Sequence, residues 1–84
     1  MNHQYEYSIH SKERIKKRNI QENWVLDTIG NYDYKVEVSY DEIHYFKKIE
    51  DKEHRCLKVV VNPATKRIVT AYFDRKMTKR GCTK

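Results

Sequence analysis

This chain has only two glycines, Gly30 and Gly81, so no Gly-rich loop is available to cradle phosphate through backbone N–H groups, and no Gly-x-Ser-x-Gly elbow exists. The chemistries built on those two devices are excluded. The two cysteines, Cys56 and Cys82, are too few for a disulfide framework, and nothing in their number points to an oxidising compartment. Cys82 falls in the segment 77–84, expected to be a flexible basic tail behind a single domain at 1–76. His44, His54 and Cys56 lack the close ligand pairs, such as Cys-x₂₋₄-Cys, that a tetrahedral zinc site uses, so neither a metal nor another cofactor is expected. No apolar run approaches the roughly 18 residues that cross a bilayer. The opening MNHQYEYS has no basic head followed by an apolar stretch. The expectation is a cytoplasmic protein with no membrane partner.

Charge is what the chain has in quantity. Charged residues make up 36% of it, with 18 Lys plus Arg against 12 Asp plus Glu, for a formal net charge of +6. A small basic domain of this kind most often meets a polyanion, RNA or DNA, with a solvated surface or an acidic protein partner as the alternative. Eighty-four residues allow one core, because a chain this short buries only about 60–65% of its unfolded surface.

The most informative stretch is Arg55–Asp74, RCLKVVVNPATKRIVTAYFD. Its two β-branched runs, Leu57 to Val61 and Ile68 to Phe73, flank Asn62-Pro63-Ala64-Thr65-Lys66 and read as a hairpin. Alternation along a strand puts Leu57, Val59 and Val61 on one face with Val69, Ala71 and Phe73, a uniformly apolar set that should lie on the core. Lys58, Thr70 and Tyr72 then mark a more open face.

Upstream, Ser8 is a plausible N-cap for a helix from about Ile9 to Arg18, with Ile15 facing inward and Asn19 suited to the left-handed residue that ends it. A second helix is expected over Glu22 to Ile29, with Val25, Leu26 and Ile29 as its apolar stripe, Trp24 sealing it to the sheet and Gly30-Asn31 stopping it. Tyr34 to Tyr40 alternates as a strand, Asp41-Glu42 turns, and Ile43 to Ile49 forms the next strand before the charged loop Glu50 to His54. Two helices followed by four strands imply an α+β domain, with both helices on one face of a four-stranded antiparallel sheet.

Ser8-Ile9-His10-Ser11-Lys12-Glu13-Arg14, Arg55-Cys56-Leu57-Lys58-Val59-Val60 and Val69-Thr70-Ala71-Tyr72 together resemble a small bacterial family of unknown function. Its members read Ser-x-His-x-x-x-Arg, Arg-x-Leu-x-Val-Val and Val-x-Thr-x-Tyr, and usually carry Gly where this chain has Asn19. The likeness runs from Tyr7 to Arg75. That family is in turn similar to the RelE, barnase and EndoU group of metal-independent endoribonucleases. The resemblance implies a RelE-like fold and a small RNA-cleaving toxin, with RNA, including ribosome-associated mRNA, as substrate and a cognate antitoxin as protein partner. Catalytic residues differ between branches of that group, so they are chosen here by their chemistry.

Metal-free RNA cleavage needs a base for the 2′-hydroxyl, cations for the phosphate and an acid for the leaving 5′-oxygen. His10 suits the base because imidazole is mostly neutral at pH 7, and Tyr72 suits the donor. Arg14, one turn from His10, and Arg55, at the mouth of a strand, suit the phosphate, with Thr70 adding a hydroxyl. Lys17, Arg18 and Lys58 complete the nucleic-acid-binding set. Each has a structural reading beside it. His10 can bond locally, Arg14 and Arg18 can be solvated or pair with Asp27, Arg55 can pair with Glu53 or Asp74, and Thr70 and Tyr72 can be plain sheet surface. Two other functions stay open: a non-catalytic RNA- or protein-binding module using the seven tyrosines, and a small structural protein pairing through edge strands.

Overall fold

A computed structural model of the chain describes residues 5–83; residues 1–4 of the expected domain and Lys84 of the expected tail lie outside the described residues. The elements run β1 (Glu6–Tyr7), α1 (Ser11–Lys17), α2 (Glu22–Gly30), β2 (Tyr34–Ser39), β3 (Glu42–Ile49), β4 (Arg55–Asn62), β5 (Arg67–Phe73) and α3 (Arg75–Lys79). The class is α+β as expected, but the sheet among the described residues has five strands in the order β1-β5-β4-β3-β2. It is mixed rather than purely antiparallel, because β1 lies parallel to β5. Two residues suffice for β1: Glu6 N–H donates to the Lys66 carbonyl at 2.8 Å and Ser8 N–H to the Ile68 carbonyl at 3.1 Å. Such a strand borrows an edge without any alternation of its own.

α1 and α2 share one face of the sheet, as expected. Their apolar residues Ile15, Trp24, Val25 and Ile29, with Ile20 from the turn between them, close over Leu57, Val59, Val61, Ile68 and Ala71 in one core cluster. The inward stripe of α2 differs from the expectation. Trp24, Val25, Thr28 and Ile29 are buried while Leu26 is 37% exposed. Thr28 is accommodated there because its hydroxyl donates to the Trp24 carbonyl at 2.7 Å, so its own buried donor is paired. The stop after α2 uses no left-handed residue at Asn31, which keeps a negative φ of −132° and donates its side-chain amide to Asp27 at 2.7 Å.

α1 starts later than expected. Its N-cap is His10, without a side-chain cap bond, and Ser8 instead offers its carbonyl to the Ser11 N–H and hydroxyl. Its end follows the expectation closely. Asn19 takes φ 58°, its N–H donates to the Lys16 carbonyl, and the Ile20 N–H donates to the Ile15 carbonyl. These are the two bonds of a Schellman cap, with Ile15 and Ile20 supplying the accompanying apolar contact.

The hairpin β4–β5 carries a bulge. Val60 pairs with Thr70 and Val61 with Ile68, so Val69 is the extra residue and everything before it changes face. Ile68 is therefore fully buried and Val69 is 42% exposed, the reverse of simple alternation.

The C-terminal segment is a correction of a different kind. Asp74 caps α3 by accepting from the Met77 N–H at 2.9 Å, and Met77 and Cys82 are buried with Phe46 and Cys56 in a second cluster on the sheet face opposite α1 and α2. Cys56 and Cys82 form a disulfide across 26 residues. Thr78 reinforces it by accepting from the Cys56 N–H at 2.9 Å and donating to the Asp74 carbonyl at 2.7 Å. Residues 77–83 are thus a fastened flap rather than a free tail. The described residues contain no helix long and apolar enough to cross a membrane.

Candidate nucleic-acid interface

Strand register lays out the face opposite α1 and α2 in rows. Directly opposed residues on neighbouring strands share a face, so Val36, His44, Val60 and Thr70 form one row across β2, β3, β4 and β5. Tyr34, Phe46, Lys58 and Tyr72 form the next. α3 and Cys82 roof the Phe46 and Cys56 end, while His44, Lys58, Val60, Thr70 and Tyr72 stay partly exposed.

Contacts within the rows make a strip of alternating cations and rings. The His44 ring meets Phe46 edge-on at 6.4 Å between centroids. The Lys58 ammonium stands 5.8 Å from the Phe46 centroid and 5.4 Å from that of Tyr72. The Arg18 guanidinium lies 5.9 Å from the Tyr72 centroid. Arg18 reaches this far because it is the C-cap residue of α1, and the Schellman turn that follows fixes the helix end beside β5. From there one of its guanidinium nitrogens donates to the Thr70 hydroxyl and to the Ala71 carbonyl, each at 3.1 Å.

Beside Tyr72 the strip opens into a cleft of about 430 Å³ lined by Arg18, Asn19, Ile20, Lys52, Arg55, Tyr72 and Phe73. Three of these are cations and none is an acid. The Arg55 guanidinium stacks 4.7 Å from the Phe73 centroid. Ion pairs among the described residues join Lys12 to Glu22, Lys35 to Glu37, Lys47 to Asp27 and His44 to Glu42. Arg18, Lys52, Arg55 and Lys58 are in none of them. Asp27 is taken by Lys47 rather than by Arg14 or Arg18, and Arg55 turns to Phe73 rather than to Glu53 or Asp74. These cations hold aromatic rings, contacts of about 0.5–1 kcal/mol at exposed sites, which an arriving phosphate can displace.

The residues singled out from sequence divide into two groups. Arg18, Lys58, Thr70 and Tyr72 meet directly, and Arg55 joins Arg18 and Tyr72 at the cleft. His10, Arg14 and Lys17 are exposed along α1 and enter none of the polar or ring contacts of Thr70, Tyr72 or Lys58. The imidazole on the open face is His44. Its Nε2 lies 2.6 Å from the Glu42 carboxylate oxygen, two residues earlier on the same strand. Strand parity already set His44 beside Phe46 and Lys48. Only the register of β3 against β4 adds that this is also the face of Lys58 and Tyr72.

The fold and the strip define a small α+β domain with one sheet face covered by helices and the other presenting cations over aromatic rings. Over residues 7–73 the chain matches the family described as "Domain of unknown function (DUF4258)", and it belongs to that family. No curated protein and no solved structure matches it.

Proposed function

We propose that this domain binds single-stranded RNA on the open sheet face and cuts it without a metal ion, as a RelE-, barnase- or EndoU-like toxin held in check by an antitoxin. The observation that carries the reading is the Tyr72 ring, approached by Arg18 at 5.9 Å and Lys58 at 5.4 Å, neither of them ion-paired among the described residues. A ring flanked by free cations suits a nucleotide, since a base stacks on the phenol while the adjoining phosphates take the charges; such stacking is worth about 1–3 kcal/mol per base. Arg18 and Lys58 then hold phosphate on the open face, Arg55, on the helix side of the cleft beside Phe73, takes a flanking phosphate, the Thr70 hydroxyl positions Arg18, and the Tyr72 phenol is the donor for the leaving oxygen. An antitoxin would cover the same strip with carboxylates, in line with the net charge of +6.

One observation favours a second reading. The cleft is lined by cations, aromatics, Asn19 and Ile20, with no base among them, which is also what a non-catalytic RNA-binding module needs. Incubating the purified protein with a mixed-sequence RNA in excess EDTA separates the two. The endonuclease reading predicts fragments with 2′,3′-cyclic phosphate and 5′-hydroxyl ends, and their suppression by Tyr72→Phe. Salt-sensitive binding with intact RNA would establish the binding module instead.

A further inference from the structure

We infer that the proton acceptor of this site is His44, positioned by Glu42, rather than the histidine at the start of α1; this rests on the endonuclease reading above. Glu42 is a carboxylate and only accepts, so at 2.6 Å its oxygen requires a proton on His44 Nε2 whenever the ring is neutral. That leaves Nδ1 bare as the basic nitrogen. The side chain is 18% exposed, enough to meet substrate yet fixed by Glu42 on one side and the edge contact with Phe46 on the other. On the sheet, His44 and Thr70 stand either side of Val60, and Phe46 and Tyr72 stand either side of Lys58. With strands ~4.8 Å apart, the histidine and the β5 donors are separated by about 10 Å of backbone. Lys58 stands in the neighbouring row, opposite Tyr72 and diagonal to His44, so a phosphate on its ammonium lies beside the phenol with the imidazole one row away on the same face.

The step is a transesterification. His44 Nδ1 takes the 2′-hydroxyl proton, the 2′-oxygen forms a bond to the adjacent phosphorus, and the bond from phosphorus to the 5′-oxygen breaks. The leaving oxygen receives the Tyr72 proton, and the proton on His44 returns through solvent to the phenolate. No water, electron or co-reactant is consumed. Glu42 is a positioning residue.

The test uses the full chain with an oligoribonucleotide for cleavage, its all-2′-deoxy counterpart for binding, and His44→Gln, which keeps a side-chain donor for Glu42. We expect His44→Gln to cut about 10² or more times slower while binding the deoxy strand within twofold of the native chain. We expect added imidazole to restore part of the rate in His44→Ala, and His10→Ala to stay near the native rate. Nitrogen-15 NMR of the neutral His44 ring should show the Nε2–H tautomer, whether or not RNA is present. Native cutting by His44→Gln, or an Nδ1–H tautomer, overturns the assignment and leaves the endonuclease reading standing. A native chain that binds the strand but never cuts RNA overturns both.

Discussion

Breaking the Cys56–Cys82 bond should cost the domain a large part of its stability. The bond closes a loop across 26 residues, for which the chain-entropy relation gives about 3.5 kcal/mol at room temperature. A domain of 84 residues has only about 4–13 kcal/mol in total. The loss should be larger than entropy alone, because the bond also fastens Met77 and the Thr78 hydrogen bonds over Phe46. In urea, where small domains lose about 1–3 kcal/mol per molar, the paired variant Cys56→Ser/Cys82→Ser should unfold at a midpoint lower by 1 M or more. Reductant should shift the native chain the same way and leave the double variant unmoved. Met77→Ala in the oxidised chain isolates the packing share. Midpoints that agree within a few tenths molar with and without reductant would refute the reasoning.

Three further outcomes follow from particular residues. Burial, with the Tyr5 phenol beside it, pushes Tyr45 up to about 12, so the folded state holds that proton after the unfolded chain has lost it near pH 10. Stability from Tyr45 is therefore whole below pH 10 and drains away as pH rises towards 12. Tyr7, raised by burial and by Glu22, adds in the same direction, and denaturant titrations of Tyr45→Phe should show a shallower alkaline loss. Arg18→Ala and Lys58→Ala should each flatten the plot of log affinity for a deoxy oligonucleotide against log salt by about 0.7, whereas Lys12→Ala, already paired with Glu22, should change it less. The bulge predicts that Ile68→Ala costs about 2–5 kcal/mol in urea unfolding while Val69→Ala costs under about 1, and the opposite ranking would restore plain alternation.

What the sequence makes legible here is periodic, and what it hides is pairing. The runs 34–40 and 57–61 alternate cleanly enough to show their faces, 43–49 carries bulk on both sides, and Asn19 announces the end of α1 because Asn enters the left-handed region more readily than most side-chain-bearing residues. Ile68 and Val69 are both β-branched apolar residues, so either can face the core at the start of β5 and the bulge is set by the partner strand. β1 has two residues and takes its definition from β5. α3 is five residues long, and its burial depends on a bond from Cys82 back to Cys56, a contact across 26 positions that no local pattern signals. At the site, parity alone grouped Lys58, Thr70 and Tyr72. Side-chain chemistry favours His10 as base and its spacing brings in Arg14, yet the α1 cation that reaches Tyr72 is Arg18, a full turn later, and the imidazole on that face comes from β3.

The claim at the centre of this account is that RNA lies across the open sheet face between the end of α1 and α3. Amide and side-chain NMR of the oxidised chain, titrated with a non-cleavable deoxy oligonucleotide, tests it directly. The account predicts the largest shifts at Arg18, His44, Lys58, Thr70 and Tyr72. Shifts confined to Lys12 and Lys16 on α1, or to the outer edge of β2, would contradict it.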